Sequence, residues 1–334
     1  MTTATGVFVR EHGEREVLEV REHDVPPPGP GEVQVEIAAA GVNFIDVYKR
    51  QGVYPGTTPF VLGDEGAGTI VAVGQGVQGF AVGDRVAWGQ AGGSQTTLAN
   101  QPADAVVPVP DGVDLETAAA AMLQGLTAHY LTTSTYAAGP GDVALVHAAA
   151  GGVGQLLVQL LVVKGCTVVA TAGSDDKLEI ARGLGAQHLI NYSEHAEATD
   201  LAAAVREAAG RGVDVVYDGV GKATFDASLA SLRRRGLMVL FGGASGQVPP
   251  FDLQRLNAGG SLFVTRPKLL DHIAEREEYE WRARELFGMI ADGSLEITVG
   301  GRFGFDRVAD AYDALESRRS TGKLIVVPSE DAHA

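Results

Sequence analysis

The sequence contains one cysteine, Cys166, among its 334 residues. An intrachain disulfide is therefore excluded, and so is a zinc site made of several cysteine thiolates. The eight histidines are scattered along the chain and lack the spacing of metal ligands. From these features we expect no bound metal and a protein of a reducing compartment, the cytoplasm.

The chain is also short of positive charge and of long apolar segments. Lys and Arg number 26 against 42 Asp and Glu, which gives a formal net charge of −16. Because this charge repels polyanions, neither a nucleic acid nor an anionic membrane surface is an expected partner. The longest apolar run, residues 156–163, contains Gln159 and is too short to span a bilayer. The first residues do not have the pattern of a signal peptide.

Glycine, in contrast, is abundant at 44 residues, and 45% of all residues are hydrophobic. A chain of this length predicts two domains. In the first part, to about residue 110, Val33, Val35 and Ile37 alternate with polar residues, a pattern typical of a half-buried strand. Further short strands are predicted between glycine-containing turns, at residues 66–73, 85–88 and 95–98. We expect an antiparallel, partly barrel-like β domain here.

Beyond residue 111 the pattern changes to an alternation of helices and strands. A helix is predicted at residues 115–136, with Asp114 as its N-cap. Strands are predicted at 143–147, 167–172, 188–191, 213–218 and 237–241, and the helices between them at 152–164, 175–184, 200–209 and 223–232. This order predicts an α/β Rossmann domain with a doubly wound parallel sheet. The tail, with helices at 274–290 and 307–317 and a strand at 323–327, is expected to return to the first domain.

The turn after the first strand of the α/β region is the most informative segment, Val143-Ala144-Leu145-Val146-His147-Ala148-Ala149-Ala150-Gly151-Gly152-Val153-Gly154. Gly151 and Gly152 allow the backbone to approach a pyrophosphate, and Gly154 allows helix and strand to pack closely. The helix N-terminus adds free N–H groups and partial positive charge. An alanine replaces the first glycine of the usual pattern, so the turn must accommodate a Cβ there.

The end of the next strand distinguishes the two nicotinamide dinucleotides. NAD enzymes usually carry an acidic residue there that binds the ribose 2′-hydroxyl. This strand ends Ala170-Thr171-Ala172-Gly173-Ser174, without an acid, and Lys177 follows one helical turn later. Asp175 and Asp176 would repel a 2′-phosphate unless they point outward and cap the helix. The pattern favours NADPH, although Lys177 by itself is more typical of an exposed helical lysine.

Several further motifs occur in a fixed order over nearly the whole chain: Gly41-Val42-Asn43-Phe44-Ile45-Asp46, Leu62-Gly63-Asp64-Glu65-Gly66-Ala67-Gly68, Gly83-Asp84-Arg85-Val86, Gln124-Gly125-Leu126-Thr127-Ala128, Val216-Tyr217-Asp218 and Phe263-Val264-Thr265-Arg266-Pro267. Together they resemble the quinone oxidoreductases of the medium-chain dehydrogenase/reductase superfamily. The resemblance implies a GroES-like catalytic domain, residues 1–124 and 267–334, and an NADP-binding Rossmann domain, residues 125–266. It also implies a zinc-free NADPH:quinone reductase.

Zinc-dependent members of the same superfamily differ at two places. Asn43 stands where their catalytic cysteine lies, and Asp64-Glu65 stands where they carry a His–Glu pair. Without a Lewis acid, alcohol oxidation is a poor fit, whereas a quinone or enone is already electrophilic. The resemblance therefore implies hydride delivery to a quinone or a related conjugated carbonyl.

The resemblance also implies roles for individual residues. The 2′-phosphate is expected to contact Gly173, Ser174, Lys177, Tyr192 and Arg318. The nicotinamide end is expected near Asn43, Tyr48, Tyr130, Gly242 and Gly243, and the substrate near Asn43, Tyr48, Tyr54 and Arg266. Other cofactor contacts are expected at Asp46, Gln124, Thr127, Ala150, Gly151, Gly152, Val153, Gly154, Gly219, Phe241 and Arg266. Gln124 stands where some relatives carry Lys, and Phe241-Gly242-Gly243-Ala244 replaces a stretch that can contain Asn and Ser.

The same residues leave two alternative functions open and predict how the chain forms an oligomer. An alkenal or enone reductase would use the same hydride geometry, with a tyrosine such as Tyr54 or water as proton donor. A non-catalytic dinucleotide- or RNA-binding protein is the alternative of another class, and the charge of −16 argues against RNA. The strand at residues 261–265, Ser261-Leu262-Phe263-Val264-Thr265, is apolar on both faces and is expected at a sheet edge. An edge of this kind predicts a homodimer that pairs this strand with its copy.

Overall fold

The computed structural model of the protein describes residues 1–317 and 320–328. The chain forms two compact units: Met1–Leu126 together with the chain from Arg276 onward, and Thr127–Glu275. We refer to them as the first unit and the second unit. Arg318, one of the residues expected at the 2′-phosphate, lies outside the described residues.

The strands and helices are numbered in chain order. The strands are β1 Thr2–Val9, β2 Leu18–Val25, β3 Glu32–Val42, β4 Phe60–Val61, β5 Gly66–Val73, β6 Arg85–Trp88, β7 Leu98–Pro102, β8 Val107–Pro108, β9 Val143–Val146, β10 Thr167–Ala172, β11 His188–Asn191, β12 Val213–Asp218, β13 Leu232–Leu240, β14 Phe263–Thr265, β15 Val299–Gly304 and β16 Lys323–Val327. The α-helices are α1 Phe44–Arg50, α2 Leu115–Tyr130, α3 Gly152–Val163, α4 Asp175–Gly183, α5 Ala198–Ala209, α6 Phe225–Ser231, α7 Gln254–Ala258, α8 Arg276–Ala291 and α9 Val308–Glu316.

The first unit contains two sheets. One has the order β2-β1-β4, and the other has the order β15-β16-β3-β5-β6-β8 with β7 also paired to β3. All pairs are antiparallel except β15 with β16, so the prediction of a mainly β, antiparallel domain is confirmed. Leu324 of β16 lies opposite Val42 of β3, which confirms that the tail of the chain returns to this unit.

One strand prediction in the first unit is wrong. Residues 95–98 were expected to form a strand, but β7 begins only at Leu98. The backbone of Gln95 instead donates to Leu62 and accepts from Val7, and the N–H of Thr97 donates to Thr5. The Thr97 carbonyl accepts from Ile37 of β3, the partner of β7, but the bonds of Gln95 go elsewhere, so the regular ladder of β7 begins at Leu98.

The second unit contains a single sheet of six parallel strands in the order β11-β10-β9-β12-β13-β14. This is the strand order of a doubly wound dinucleotide-binding fold, with the switch in direction beside β9. Buried apolar residues from neighbouring strands, Leu145, Val169, Val216 and Met238, form part of its core. The predicted Rossmann domain is confirmed, and β14 lies at the predicted edge of the sheet.

Helix α2 begins and ends for identifiable reasons. The Asp114 carboxylate accepts the N–H of Thr117 at 2.8 Å, as expected of an N-cap. The helix was expected to reach residue 136, but after Tyr130 the backbone widens into a π-helical turn, Leu131–Thr135. The Thr132 and Thr133 hydroxyls donate to the carbonyls of Ala128 and His129, and such bonds compete with the regular helical ladder. In the described part of the chain, no helix is long and apolar enough to cross a membrane.

Candidate active site

The glycine-rich turn between β9 and α3 has the geometry of a phosphate-binding turn. A Cβ on Gly154 would lie 2.3 Å from the carbonyl oxygen of Ala148, so only glycine allows this close approach of helix and strand. Ala148 has φ +52°, in the left-handed region that favours glycine. Gly151 is the N-cap of α3, whose first N–H groups have no partner within the helix. The turn therefore fits a dinucleotide pyrophosphate.

Beside this turn, the end of β10 brings together four of the residues expected at the 2′-phosphate. Ser174 is the N-cap of α4, and a Cβ on Gly173 would lie 3.0 Å from the hydroxyl oxygen of Tyr192. Lys177 lies in the first turn of the same helix. The Asp175 carboxylate accepts from the Asn191 amide at 3.0 Å, which holds this acid against the end of β11.

The ends of β12 and β13 form a second glycine-lined surface of this unit. A Cβ on Gly242 would lie 2.4 Å from the carbonyl oxygen of Gly219, and a Cβ on Gly219 would lie 2.9 Å from the ring of Phe241. The Arg266 guanidinium donates to the carbonyls of Leu240 and Gly242, at 3.0 and 3.2 Å. The structure thus brings Gly219, Phe241, Gly242 and Arg266 together, with Arg266 bound to the backbone.

Two other residues expected at the cofactor lie in the last turn of α2, which belongs to the second unit. Thr127 and Tyr130 are both buried. The Tyr130 ring stacks on the imidazole of His272, with centroids 4.2 Å apart and planes 9° apart. This stacking fixes the orientation of the tyrosine ring within the second unit.

In the first unit, helix α1 positions four of the predicted residues. Asn43 is the N-cap of α1, and its side chain and that of Asp46 form a capping box with the facing backbone N–H groups. Tyr48, one turn later, contacts Tyr54 edge to face, with ring centroids 5.8 Å apart. Tyr54 is 46% exposed, whereas Asn43 is buried. The structure therefore brings Asn43, Tyr48 and Tyr54 together around one short helix.

Next to Asn43 lies a buried group of polar side chains, which we call the Lys323 cluster: Lys323, Glu65, Asn43 and Gln124. The Lys323 ammonium donates to Asn43 Oδ1 at 2.6 Å, to Gln124 Oε1 at 2.7 Å and, at short range, to Glu65 Oε2. Glu65 also accepts from Asn43 Nδ2 at 3.0 Å and from the backbone N–H of Leu123 at 2.6 Å. Burial lowers the pKa of Lys323, and the Glu65 charge opposes this.

A second carboxylate, Asp46, is fully buried beside this cluster. Its Oδ2 accepts from the backbone N–H of Asn43 at 2.9 Å and from the Tyr312 hydroxyl at 3.0 Å. Burial, and after it the negative charge of Asp64, raises the pKa of Asp46 to about 8. Asp64 itself is paired with Lys49, whose ammonium lies 2.7 Å from Asp64 Oδ2. Asp46 is therefore protonated over most of the neutral range.

Lys323 was missed as a site residue in the sequence. It is the first residue of an apolar strand, Lys323–Val327, where an exposed end is the usual interpretation of a lysine. Gly41, which lies opposite Ile325 where β16 pairs with β3, leaves room for this lysine, because a Cβ on Gly41 would lie 2.0 Å from Glu65 Oε2 and 2.8 Å from Lys323 Nζ. Within residues 1–317 and 320–328, no group of three or more His, Cys, Asp and Glu side chains is arranged to hold a metal ion.

Comparison with known proteins identifies the family. A family model described as "Alcohol dehydrogenase GroES-like domain" matches residues 29–140, and one described as "Zinc-binding dehydrogenase" matches residues 152–283. The chain is 42% identical to the quinone oxidoreductase of Salmonella typhimurium, over 97% of this chain and 100% of the relative. It is 39% identical to the 2-haloacrylate reductase of a Burkholderia species, over 91% of this chain and 93% of the relative.

Among solved structures, the Escherichia coli quinone oxidoreductase in complex with NADPH is similar with a TM-score of 0.92 and 40% identity. The match covers 97% of this chain and 100% of that one. The glycine turn after β9, the six-stranded sheet and this near-complete similarity agree with one another. The chain belongs to the quinone oxidoreductases of the medium-chain dehydrogenase/reductase superfamily.

Proposed function

We propose that the protein is an NADPH:quinone oxidoreductase that works without zinc. The observation that carries the proposal is the near-full-length similarity to quinone oxidoreductases, one of which is solved with NADPH. The structure supports the choice of nucleotide, because β10 is followed by Gly173 and Ser174, with no acidic side chain at its tip. Asp175, the nearest acid, is bound to Asn191.

When bound, NADPH supplies the hydride, and the residues of the second unit hold it. The N–H groups at the start of α3, with Ala150, Gly151, Gly152, Val153 and Gly154, bind the pyrophosphate. Ser174, Lys177 and Tyr192 bind the 2′-phosphate, together with Arg318. Tyr130, Gly219, Phe241, Gly242, Gly243 and Arg266 belong to the nicotinamide end, and Thr127 supports Tyr130 from the same helix.

In the first unit, we assign Asn43, Tyr48 and Tyr54 to the acceptor and Asp46 to the support of Asn43. Asn43 stands where zinc-dependent relatives carry a cysteine ligand, and a carboxamide is a poor substitute for a thiolate. Beside it the Lys323 ammonium already occupies the oxygen atoms of Asn43 and Glu65. A cation that is part of the chain leaves these oxygens unavailable to a metal ion, which supports zinc independence.

Reduction of conjugated carbonyls is the second candidate function. It is favoured by one observation, the 39% identity to a 2-haloacrylate reductase over most of both chains. The two functions differ in the fate of the proton: an enone needs it on the α-carbon, whereas a reduced quinone takes it on oxygen from water. The exposed Tyr54 hydroxyl is the candidate donor for an enone.

A homodimer in the cytoplasm completes the proposal. Strand β14 ends the sheet of the second unit, and Phe263 and Val264 are 58% and 36% exposed. An apolar edge strand needs a cover, and a second copy of the same strand, paired about a two-fold axis, provides one. The single cysteine agrees with a reducing compartment.

The experiment that tests the proposed reaction is NADPH consumption with a panel of quinones and enones of matched size. We expect quinone-dependent oxidation of NADPH, with NADH a poorer donor and with enones slower than quinones. If enones are faster and Tyr54→Phe abolishes only their reduction, the second candidate is correct. If no acceptor oxidises NADPH above the rate without enzyme, both candidates are wrong.

A further inference from the structure

In the Lys323 cluster, the buried Lys323 ammonium donates all of its N–H bonds to three side-chain oxygen atoms. An ammonium group has three N–H bonds, and those of Lys323 go to Asn43 Oδ1, Gln124 Oε1 and Glu65 Oε2. Lys323 and Glu65 are both buried, so water does not compete for these bonds. The positions of both carboxamide oxygens are therefore fixed by a charge, and neither amide can flip without losing a charge-assisted hydrogen bond.

Fixing the oxygen of Gln124 also fixes its amino group. One N–H of Gln124 Nε2 donates to Asn43 Oδ1 at 2.6 Å. The second N–H donates to no residue in the part of the chain that the structure describes. Gln124 is also the half-buried member of the cluster, while Asn43, Glu65 and Lys323 are buried. The second N–H of Asn43 Nδ2 likewise has no acceptor among the described residues, but Asn43 is buried, so the donor that reaches the surface of the unit belongs to Gln124.

We propose that Gln124 is a catalytic residue whose remaining N–H donates to the carbonyl oxygen of the electrophilic acceptor, with Lys323 as the positioning residue that holds Gln124 and polarises it. The inference rests on the proposed function. It deepens that function by naming the group that takes the place of a Lewis acid. An amide whose oxygen is bound to a cation is a stronger donor at its nitrogen, because hydrogen bonds in a chain polarise one another.

Gln124 assists the transfer of hydride to the acceptor. The hydride that NADPH would supply leaves the cofactor oxidised to NADP⁺ and forms an O–H bond at one quinone oxygen, so the ring becomes aromatic and the other quinone oxygen gains a full negative charge. Gln124 stabilises this oxygen while its charge develops, and water then protonates it to give the hydroquinone. A donor that is already in place has no reorganisation cost at that moment.

Two variants test the two roles. Gln124→Leu removes the donor. The double variant Lys323→Met with Glu65→Gln removes the cation without leaving a buried carboxylate unpaired, so it avoids the main cause of misfolding. The control is Arg302→Met with Glu116→Gln, because Arg302 on β15 binds Glu116 on α2 at 3.0 Å, an ion pair of the same unit that lies outside the cluster and is more exposed. The control is expected to keep the parent rate.

We expect Gln124→Leu to lower kcat about 100-fold, the usual effect of removing one oxyanion donor. The Kd of NADPH, to which Gln124 was expected to contribute a contact, should rise much less. The double variant lowers kcat at least about 10-fold by the same reasoning. Both losses grow as the quinone becomes a weaker oxidant, since a weaker acceptor depends more on stabilisation of its oxygen. A purely structural defect would lower kcat by the same factor for every quinone. That result, or an unchanged kcat, overturns the inference.

A binding measurement keeps the inference testable even if quinones are not the substrates. 4-Nitrophenolate, whose charged oxygen resembles the reduced acceptor, is titrated into the NADP⁺-loaded parent and variants. Gln124→Leu is expected to weaken its binding about 10-fold or more, as expected for a lost hydrogen bond to a charged group, with nitrobenzene affected little. Equal phenolate affinity in parent and variant overturns the inference. Quinone reduction that is absent while phenolate binding still depends on Gln124 overturns the proposed function alone.

Discussion

Substitution of Gly41 by alanine perturbs the Lys323 cluster without changing any of its members. The added Cβ would lie 2.0 Å from Glu65 Oε2, 2.7 Å from Glu65 Cδ and 2.8 Å from Lys323 Nζ. These atoms belong to side chains, but both side chains are buried and hydrogen-bonded. Glu65 cannot move away from Gly41 and still keep its bonds to Lys323, Asn43 and the N–H of Leu123.

The expected size of the effect follows from two opposing terms. Overpacking in a closely packed site costs about 1–3 kcal/mol, and the upper end applies because the displaced group is one half of a buried ion pair. Replacing a strand glycine by alanine returns about 0.5–1 kcal/mol, since the unfolded chain has less freedom to lose. We therefore expect a loss of about 2 kcal/mol in the free energy of unfolding, or a Tm lower by about 4–8 °C for a unit of this size.

The assay is differential scanning calorimetry of the parent and two alanine variants at one scan rate and one protein concentration. Gly56→Ala is the matched control, because a Cβ there meets no heavy atom within 4 Å. We expect Gly56→Ala to change stability by less than about 0.5 kcal/mol, as is usual for a surface substitution. A Tm for Gly41→Ala within about 1 °C of the control would show that the cluster is loosely packed and would refute the reasoning.

Three further outcomes are expected. The pKa of Asp46 is raised from 3.8 to about 8, so the folded state binds the proton of this carboxyl group more tightly than the unfolded state does. The parent should therefore lose stability relative to Asp46→Asn as the pH rises from about 4 to 8. A difference in Tm that is constant over this range would contradict the pKa shift. Lys177→Ala should remove much of the preference for NADPH over NADH in fluorescence titrations, and a parent that binds both equally would contradict the 2′-phosphate assignment. Val264→Pro removes a ladder donor from β14 and should give monomers in sedimentation velocity, whereas Val264→Thr should remain dimeric; a parent that sediments as a monomer at micromolar concentration would contradict the dimer.

The sequence was most informative where structure is local. The runs at β5, β10, β11, β12 and β16 have the predicted bounds, because apolar and β-branched residues continue up to a turn residue on each side. The phosphate turn between β9 and α3 was predictable for the same reason: its glycines, its strand and the start of its helix lie within twelve consecutive residues.

Features that depend on distant pairing were not predictable in this way. Lys323 meets Asn43 across 280 residues only because β16 pairs with β3, and no periodicity in residues 323–327 indicates this partner. The strand expected at residues 95–98 was wrong because the backbone of Gln95 bonds to Leu62 and Val7 and the Thr97 N–H bonds to Thr5, which a local pattern does not show. The raised pKa of Asp46 likewise arises from burial and from Asp64, eighteen positions away in the chain.

The most direct test of the central claim is a single-turnover reaction with a metal-free sample. The protein is treated with a chelator, its zinc content is measured by elemental analysis, and the NADPH-loaded enzyme is mixed with a quinone in a stopped-flow instrument. Zinc independence predicts oxidation of one NADPH for each hydroquinone formed, at the same rate before and after the chelator. A rate that disappears with the chelator and returns with added zinc would contradict it.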